Sequence, residues 1–426
     1  MELDKKIEQK KFSSNQKAIC FVVVLATFVS SLFGSSMNLL VPTIGKEFYV
    51  SASMLGLMMT VFTVTIATLS VPFGRLADII GKRRVFLPGI MLFSIFAFMP
   101  VLALNFTMLL VFRFFQAIGG AMAFSTSPAI LADVFPESER GTAVGLVVAA
   151  MYMGFMVGPV SAGIMNDNFG WRSVFFIAST LSVIVCILAI KILPKDGKNL
   201  QDVSLNISDD IKYIFKLFSG NIVFSSLNLV ALFASGVGYV IVYLMSIYVQ
   251  VVMGFPSRIA GLVLITQPVL MTVLSPYVGK ISDRVSPFKL SALGIIVCTI
   301  GVGFGAFINE SFPLWLVISA LAVSGIGFGI FGPANTVAVL SCVEMKDYGT
   351  ASAVLVTMRN FGYSLTIAGV SLIAGFFMGN IPLAEAEIDI LITTMRTAFI
   401  AFSTLCAVSA FIAIKCSMYM KTKKGV

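Results

Sequence analysis

The feature that most limits the possible folds of this chain is a succession of long apolar runs. Of its 426 residues, 58% are hydrophobic and only 12% are charged, whereas soluble domains carry about 25% charged residues. A helix needs about 20 apolar residues to cross a bilayer, and only helices or closed barrels satisfy their backbone hydrogen bonds in lipid. Because the runs lack the period of two that barrel strands require, they predict an all-α membrane protein.

Twelve runs are predicted to cross the membrane. They lie near residues 18–42, 52–74, 85–104, 106–132, 142–165, 172–193, 222–250, 258–278, 289–308, 313–338, 349–378 and 393–415. The first run is longer than the core of a cleaved signal peptide, which spans about 7–15 residues. The predicted organisation is an N-terminal segment 1–17, a six-helix bundle 18–193, a connector 194–220, a second six-helix bundle 221–415 and a tail 416–426.

The distribution of lysine and arginine predicts the orientation. An even number of spans places both termini on one side of the membrane. Of the 29 Lys and Arg residues, 23 lie on that side and four on the other, while Arg113 and Arg359 lie within spans. Because positive residues concentrate in cytoplasmic loops, the sequence predicts a multi-pass protein of the cell membrane with both termini in the cytoplasm.

The connector is predicted to contain a short amphipathic helix over residues 208–218. Ser208 can cap this helix, and two acids follow in its first turn. Four apolar side chains share one face, which would lie on the membrane surface; they are Ile211, Ile214, Leu217 and Phe218. The alternative is that these residues form the start of span seven.

Composition excludes several other functions. The sequence contains no histidine, which rules out Ser-His-Asp and Cys-His catalysis and histidine zinc sites. Its six cysteines are scattered without a Cys-x-x-Cys pair. We therefore predict no cofactor and no metal. The net charge of +9 is attributed to cytoplasmic anchoring and anionic lipid headgroups rather than to nucleic acid. The expected partner is the lipid bilayer, and the expected state is a monomer.

The two halves of the chain carry related patterns. A strongly basic turn at Gly74–Arg84 has a shorter counterpart at Gly279–Arg284, 205 residues later, and Gly154 recurs as Gly362 after 208 residues. These offsets predict duplication of a six-span unit, with the two halves related by a pseudo-two-fold axis. Transporters commonly use such repeats and bind their substrate at the membrane midplane between them.

Three motifs together resemble those of the major facilitator superfamily. Residues 74–84 (GRLADIIGKRR) resemble its loop between the second and third helices, and Leu110-x-x-Arg113-x-x-Gln116-x-x-Gly119 resembles its fourth-helix motif. The pattern Gly145-x8-Gly154-x3-Gly158-Pro159-x2-Ala162-Gly163 resembles the fifth-helix motif of its drug:proton antiporters, with Ala162 in place of a glycine. The resemblance covers nearly the whole chain. It implies two six-helix bundles that rock around a central cavity.

The two basic turns are predicted to form a cytoplasmic gate. Asp78 would face the start of span eleven and Asp283 the start of span five, because a helix N-terminus stabilises a nearby anion by about 0.3–1 kcal/mol. Such contacts would join the halves and stabilise the outward-open state; the alternative is that these are ordinary topogenic charges. The predicted gate residues are Gly74, Asp78, Gly81, Arg84, Arg140, Gly279, Asp283 and Arg284.

Arg113 is the candidate for proton coupling. An arginine in the membrane interior costs at least about 2.5 kcal/mol, so it should have polar partners, and Gln116 lies one turn along on the same face. The resemblance implies a role for Arg113 in proton transfer, with protons as the coupling ion. Asp133, the nearest acid on that helix, is the remaining candidate for the protonated group. The alternative for Arg113 is structural pairing alone.

Span five is predicted to pack closely. Gly154, Gly158 and Gly163 lie on roughly one face and would admit a neighbouring helix, while Pro159 would bend the span. A bent, tightly packed helix between the two halves would seal the inward route. The alternative is generic packing of small residues.

The substrate cavity is predicted from polar and pliable side chains. Where many drug antiporters carry an acid in the first helix, this chain has Phe33, and all 20 acids can be placed at span ends or in loops. Neutral or anionic hydrophobic substrates are therefore favoured. The candidate cavity residues are Asn38, Met151, Met153, Asn228, Tyr239, Tyr243, Gln267, Asn335 and Arg359.

The function implied by the resemblance is proton-driven export of small hydrophobic compounds, such as drugs. Uptake or facilitated diffusion of a small metabolite is the alternative within transport. A membrane enzyme or a sensor is the alternative from a different class of protein.

Overall fold

The computed structural model describes residues 13–135, 137–194, 218–282, 284–344 and 348–424. Its helices in chain order are α1 (Ser14–Phe48), α2 (Ala52–Ile80), α3 (Lys82–Phe98), α4 (Phe106–Val134), α5 (Glu137–Phe169), α6 (Trp171–Ile192), α7 (Ile222–Ile247), α8 (Ser257–Leu264), α9 (Thr266–Ile281), α10 (Pro287–Gly303), α11 (Leu314–Leu340), α12 (Tyr348–Met378) and α13 (Ile388–Lys424). Helices α8 and α9 together form span eight. The first half therefore comprises α1–α6 and the second half α7–α13.

The predicted twelve-span, all-helical architecture is confirmed. Eleven helical stretches among the described residues are long and apolar enough to cross a membrane, and α5, with 33 residues, supplies the remaining span. Several spans differ in extent from the prediction, and most of the helices are longer than the predicted runs. Span eight is interrupted at Ile265, between α8 and α9, and α13 continues to Lys424 instead of ending near residue 415. Of the predicted connector helix, only Phe218 lies among the described residues.

Polar side chains fix the starts of several spans. Ser13 and Gln16 form a reciprocal capping box at the start of α1. The Asn105 side chain accepts a hydrogen bond from the backbone N–H of Met108 (2.8 Å) at the start of α4. Between α2 and α3 the chain turns at Gly81, whose φ of 108° favours glycine. The short turn holds two long helices in antiparallel contact.

The two halves repeat the same close approach between their third and fourth spans. A Cβ on Gly119 of α4 would clash with the backbone of α3 at Phe93, and a Cβ on Gly327 of α11 would clash with the backbone of α10 at Cys298. The glycines are 208 residues apart, the offset found in the sequence. Small residues at helix crossings let backbones approach and gain dispersion contact in lipid.

A second pair of contacts repeats at the starts of the last spans of each half. Arg172 of α6 donates a hydrogen bond to the Ala103 carbonyl (3.0 Å), and Arg396 of α13 donates to the Ile308 carbonyl (2.8 Å). Both carbonyls belong to the loop between the third and fourth spans of their half. The internal repeat predicted from the sequence is thus visible in the packing.

Candidate transport site

The two halves are tied together at the side of the bundle away from the chain termini, which we term the opposite side. The Asp167 carboxylate, near the end of α5, accepts hydrogen bonds from the backbone N–H groups of Ser257 (3.1 Å) and Arg258 (2.9 Å). Asn166 donates to the hydroxyls of Ser257 (2.8 Å) and Thr43 (2.9 Å). The acid therefore lies at the N-terminus of α8, where unpaired N–H groups favour an anion.

Backbone proximity reinforces this tie between α5 and α8. A Cβ on Gly163 would lie 2.5 Å from the Ser257 carbonyl oxygen, and a Cβ on Gly261 would clash with the Pro159 carbonyl. Because backbone atoms cannot move aside as flexible side chains do, the two helices can be this close only with glycine at both positions. The contact leaves no room for a solute to pass between α5 and α8.

A second tie on the opposite side joins α2 to the second half. The backbone N–H of Leu383 donates to the Val50 carbonyl (3.1 Å), and the Tyr49 hydroxyl donates to the Glu385 carboxylate. Further along α2, a Cβ on Gly56 would clash with the Ser371 side chain of α12. The halves are thus held together along two separate helix pairs at this side.

The side that carries the chain termini and residues 74–84, termed the basic side, is more open around the predicted gate glycines. A Cβ on Gly279 would meet no described atom within 4 Å, and one on Gly74 would meet only Ser125 of its own half, at 3.7 Å. The Arg84 side chain is exposed and donates to the Ile80 carbonyl (3.2 Å), and Arg284 is exposed. An added Cβ at Gly74 or Gly279 would therefore not clash with described atoms of the other half.

Several predicted residues cannot be placed in the same detail. The side chains of Asp78, Asp133, Arg140 and Asp283, and the surroundings of Gly145, lie outside the described part of the structure. The predicted contacts of the two acids with the helix starts therefore stay predictions.

The span-five glycines divide between two neighbours. A Cβ on Gly154 would lie 2.7 Å from the Phe28 carbonyl of α1, and one on Gly158 would lie 2.5 Å from the Leu32 carbonyl of α1. Of the span-five glycines whose surroundings the structure describes, Gly163, beyond Pro159, faces the second half. Gly154 and Gly158 therefore pack span five within its own half rather than at the interface between halves, because that face of α5 lies against α1.

Arg113 is buried in the interior, with 1% of its side chain exposed. Its Nη1 donates to Gln116 Oε1 (2.8 Å), its guanidinium lies 4.0 Å from the Phe62 ring centroid, and Phe33 is the second ring, at 5.4 Å. Neither Arg113 Nε nor Gln116 Nε2 has a hydrogen-bond partner. The pair Arg113–Gln116 predicted from the sequence is therefore present, but one donor of each side chain forms no hydrogen bond.

Asp133, the candidate for the protonated group, lies on the same helix as Arg113. Because 20 residues of α-helix rise about 30 Å, the two backbone positions are about that far apart along α4. A role of Asp133 in proton coupling stays a prediction.

Two tyrosines of the second half adjoin the arginine. Tyr239 of α7 lies close enough to Arg113 for an electrostatic interaction, and the Asn38 amide of α1 lies beside the Tyr239 hydroxyl. The rings of Tyr239 and Tyr363 are 5.4 Å apart, and Asn38 Oδ1 is buried without a partner. Groups from α1, α4, α7 and α12 thus meet where the two halves face each other.

Arg359 forms a separate polar group in the second half. Its Nη2 donates to the Gly332 carbonyl (3.2 Å) and to the Thr336 hydroxyl (3.0 Å). Tyr363 lies one turn along α12, and the Tyr152 hydroxyl of α5 would be 3.6 Å from a Cβ on Gly332. This group bridges α11 and α12 and approaches the first half through α5.

The predicted amides of the second half have partners there. Asn228 donates to the backbone of its own helix (2.9 Å), Gln267 donates to the Ser324 hydroxyl (3.4 Å), and Asn335 accepts from the Ser291 hydroxyl (3.4 Å). All three amides are buried. The Gln267 and Asn335 bonds join helices of the second half, the Asn228 bond lies within α7, and none of these bonds reaches Arg113.

The other predicted cavity residues differ in burial. Tyr243 is buried, one turn beyond Tyr239 on α7, whereas Met151 is half-buried and Met153 is exposed. Of the predicted cavity set, Asn38 and Tyr239 are the two whose described contacts adjoin the arginine.

Several residues of this region were missed by sequence reasoning. They are Phe62, Tyr152, Tyr363, Asn166, Asp167, Ser257 and Glu385. Asn166 and Asp167 form a polar pair just before span six, a signal that could have suggested a capping role. The aromatic residues carry no comparable signal because 38 phenylalanines and 10 tyrosines are distributed over the chain.

Two pseudo-symmetric six-span halves, held together at one side of a buried polar centre, are the architecture of a membrane transporter. A sequence comparison agrees, since the profile of the Major Facilitator Superfamily matches residues 23–367. The chain belongs to this family. It is therefore a multi-pass membrane transporter that moves a small-molecule substrate, and not an enzyme.

Named relatives cover most of the chain. Riboflavin transporter RibZ of Clostridioides difficile (strain 630) is 26% identical over 406 residues, which cover 85% of this chain and 88% of RibZ. Multidrug resistance protein Stp of Mycobacterium tuberculosis (strain CDC 1551 / Oshkosh) is 22% identical over 396 residues, covering 81% of this chain and 73% of Stp.

A solved structure shares the fold. The inward-facing, unoccupied crystal structure of a bacterial homologue of the human lysosomal transporter Spinster superposes with a TM-score of 0.78. The sequences are 18% identical, and the alignment covers 96% of this chain and 98% of that one.

Proposed function

We propose that this transporter exports small hydrophobic compounds in exchange for protons, by alternating access between its two halves. The observation that carries the proposal is Arg113, a buried cation at the junction of the halves whose hydrogen-bonding capacity is only partly used. Charged residues inside a membrane are costly and mark transport pathways by default. The sequence pattern of span five and the relative named as a multidrug resistance protein support export of hydrophobic compounds.

The proposed orientation places the basic side in the cytoplasm of the cell membrane. The excess of lysine and arginine on that side supports it through the positive-inside rule. With this orientation, the tie between Asp167 and the start of α8 closes the outside. The described state is then inward-facing, and the basic turns containing Asp78 and Asp283 form the gate that closes in the other state.

Proton coupling can be tested in everted membrane vesicles whose lumen has been acidified by respiration. Addition of a transported compound is expected to raise the lumenal pH, because protons leave as the compound enters. Arg113→Ala is expected to abolish this alkalinisation, since the change removes the buried cation and leaves Gln116 unpaired. Arg113→Lys, which keeps the charge but loses the planar fork of donors, is expected to retain part of it.

The matched control is Lys415→Gln, which removes a positive charge from α13 at a side chain that lies over Phe411. This variant is expected to behave as the unmodified protein. Transport that continues unchanged after a protonophore collapses the gradient would contradict proton exchange.

Uptake or facilitated diffusion of a small metabolite is the second candidate. The relative named as a riboflavin transporter favours it. So does the placement of all 20 acids at helix ends or in loops, because carboxylates are the usual proton carriers of pumps and transporters. The same vesicles separate the two candidates, since a facilitator moves its substrate down a concentration gradient whatever the proton gradient.

A further inference from the structure

We propose that Arg113 and Gln116 bind the edge of a planar aromatic substrate that presents hydrogen-bond acceptors. A planar cation without such an edge is rejected by the same groups. This inference rests on the proposed transport of small hydrophobic compounds and names the class of compound that the centre recognises.

Two buried hydrogen-bond donors at the centre are unused. Arg113 Nε and Gln116 Nε2 are both donors, both are buried, and neither has a partner. They belong to side chains already joined by the 2.8 Å bond between Arg113 Nη1 and Gln116 Oε1, so they lie in one small region. A buried donor without a partner bears the full penalty of desolvation. A ligand that brings acceptors to this region removes the penalty at both atoms.

Aromatic rings surround the arginine at the centre. The guanidinium lies 4.0 Å from the Phe62 ring centroid, so its face is covered by the ring. The N–H groups of the guanidinium lie in its plane, so a flat partner can accept hydrogen bonds from them along its edge. Across the junction, the rings of Tyr239 and Tyr363 pack against each other, with centroids 5.4 Å apart and planes tilted by 45°. Both tyrosines and Phe62 are partly exposed, so their rings are available for contact with a flat aromatic ligand.

The positive charge of Arg113 has no carboxylate near it in the sequence of the spans. No acidic residue lies in the middle of any span, and the acid on the same helix, Asp133, is about 30 Å away along the helix. Phe33 occupies the position next to the guanidinium, at 5.4 Å. Since the protein places no carboxylate in that position, the substrate supplies the acceptors or the negative charge. A hydrophobic cation would instead be repelled.

Binding of three fluorescent planar probes tests this inference. Fluorescein is an anion, riboflavin is neutral with carbonyl acceptors along one edge, and ethidium is a cation without such an edge. Fluorescence anisotropy with the purified full-length protein, in the absence of any gradient, is expected to show binding of the first two probes and not of ethidium. Arg113→Ala is expected to weaken binding of both by about tenfold or more, because a hydrogen bond to a charged group is lost.

Gln116→Glu provides a variant that keeps the arginine and the side-chain size. The new carboxylate would pair with Arg113 and occupy its donors, so fluorescein binding is expected to fall by about tenfold and riboflavin binding by less. Lys415→Gln is the control for loss of a distant charge and is expected to bind both probes normally.

Ethidium binding in place of the two acceptor-bearing probes would overturn the inference, as would failure of both to bind. Unchanged fluorescein affinity in Gln116→Glu would also overturn it. A different result would contradict the proposed proton exchange, namely transport that does not depend on the proton gradient. Selective binding of the two acceptor-bearing probes would stand even in that case.

Discussion

The opposite and basic sides of the molecule differ in how their helices meet. On the opposite side, α5 meets α8 through glycines and through the Asp167 carboxylate at a helix start. On the basic side, the glycine of the predicted gate at Gly279 has open space around it. The contact between spans five and eight is therefore tight on the opposite side, and the described surroundings of Gly279 contain no comparable contact. A rocking transporter is expected to close one side at a time.

The predicted gate would use on the basic side the same kind of contact that the structure contains on the opposite side. The sequence predicts that Asp78 and Asp283 face helix starts on the basic side. The structure contains such an arrangement on the opposite side, between Asp167 and the N–H groups of Ser257 and Arg258. Because an acid stabilises a helix start only when the two are in contact, each tie favours one state. The balance between the two sides then sets the populations of the two states.

The largest effect is expected from Gly163→Ala on the closed side. The added methyl group would lie 2.5 Å from the Ser257 carbonyl oxygen and 2.9 Å from Arg258 Cα, so α5 and α8 could not close fully. Overpacking of this kind costs about 1–3 kcal/mol, which corresponds to a shift of the closing equilibrium by about 5- to 150-fold. Transport by reconstituted protein in liposomes, measured as an initial rate, is expected to fall by about tenfold.

The matched control is Gly303→Ala at the end of α10, outside the predicted gate, where the added methyl group would meet no described atom within 4 Å. Its initial rate is expected to stay within about twofold of the unmodified protein, because a change with free space around it has an effect within about 0.5 kcal/mol. Equal losses in the two variants would show that the loss does not come from the contact between α5 and α8.

The next effect is expected from Asp167→Ala. The change removes the carboxylate that accepts two backbone hydrogen bonds at the start of α8, and loss of such a cap costs about 1 kcal/mol. The fraction of molecules open at the opposite side is expected to rise about fivefold. Spin labels on exposed positions of the two halves, with distances measured by pulsed electron resonance, report this fraction.

Glu310→Ala is the control for this variant. Glu310 is an exposed acid in the loop between α10 and α11, and its removal is expected to leave the distance distribution unchanged. A distribution that shifts equally in both variants would mean that the effect comes from net charge and not from the cap of α8.

The sequence predicts the architecture better than it predicts the contacts between halves. The twelve spans follow from the lengths of the apolar runs, which are local in sequence. The internal repeat follows from short motifs that recur at offsets of 205 and 208 residues. The Arg113–Gln116 pair is also local in sequence, because the two residues are one helical turn apart.

Contacts between distant segments were not available from local patterns. The seal between Gly163 and Ser257 joins residues from different halves, and no local pattern encodes which helices cross there. The glycines at 154 and 158 show the same limit. Their spacing predicts a close helix contact, but whether the neighbour is α1 or a helix of the second half depends on the rotation of α5. The covering of Arg113 by Phe62 likewise depends on how α2 packs against α4.

A smaller effect of opposite sign is expected from Asp78→Asn on the basic side. If Asp78 stabilises the other state through a helix start, loss of its charge removes about 0.3–1 kcal/mol from that state. The ratio of molecules closed to molecules open at the opposite side is then expected to rise by about two- to fivefold, measured with the same pair of spin labels. A shift in the same direction as Asp167→Ala would contradict the idea that the two acids act on opposite states.

The smallest effect is expected from Tyr49→Phe, which removes one hydroxyl from the closed side. The hydroxyl donates to the Glu385 carboxylate, but Tyr49 is 58% exposed, so water can replace the bond when it is lost. Exposed interactions of this kind contribute about 0.2–1 kcal/mol. At the lower end of this range, the populations of the open and closed states, read from the distances between the spin labels, are expected to change by less than about twofold. The backbone bond between Leu383 and Val50 remains in this variant, so α2 stays tied to the second half. If Tyr49→Phe opened the opposite side as far as Asp167→Ala does, closure would depend on the exposed rim and not on the contact between α5 and α8.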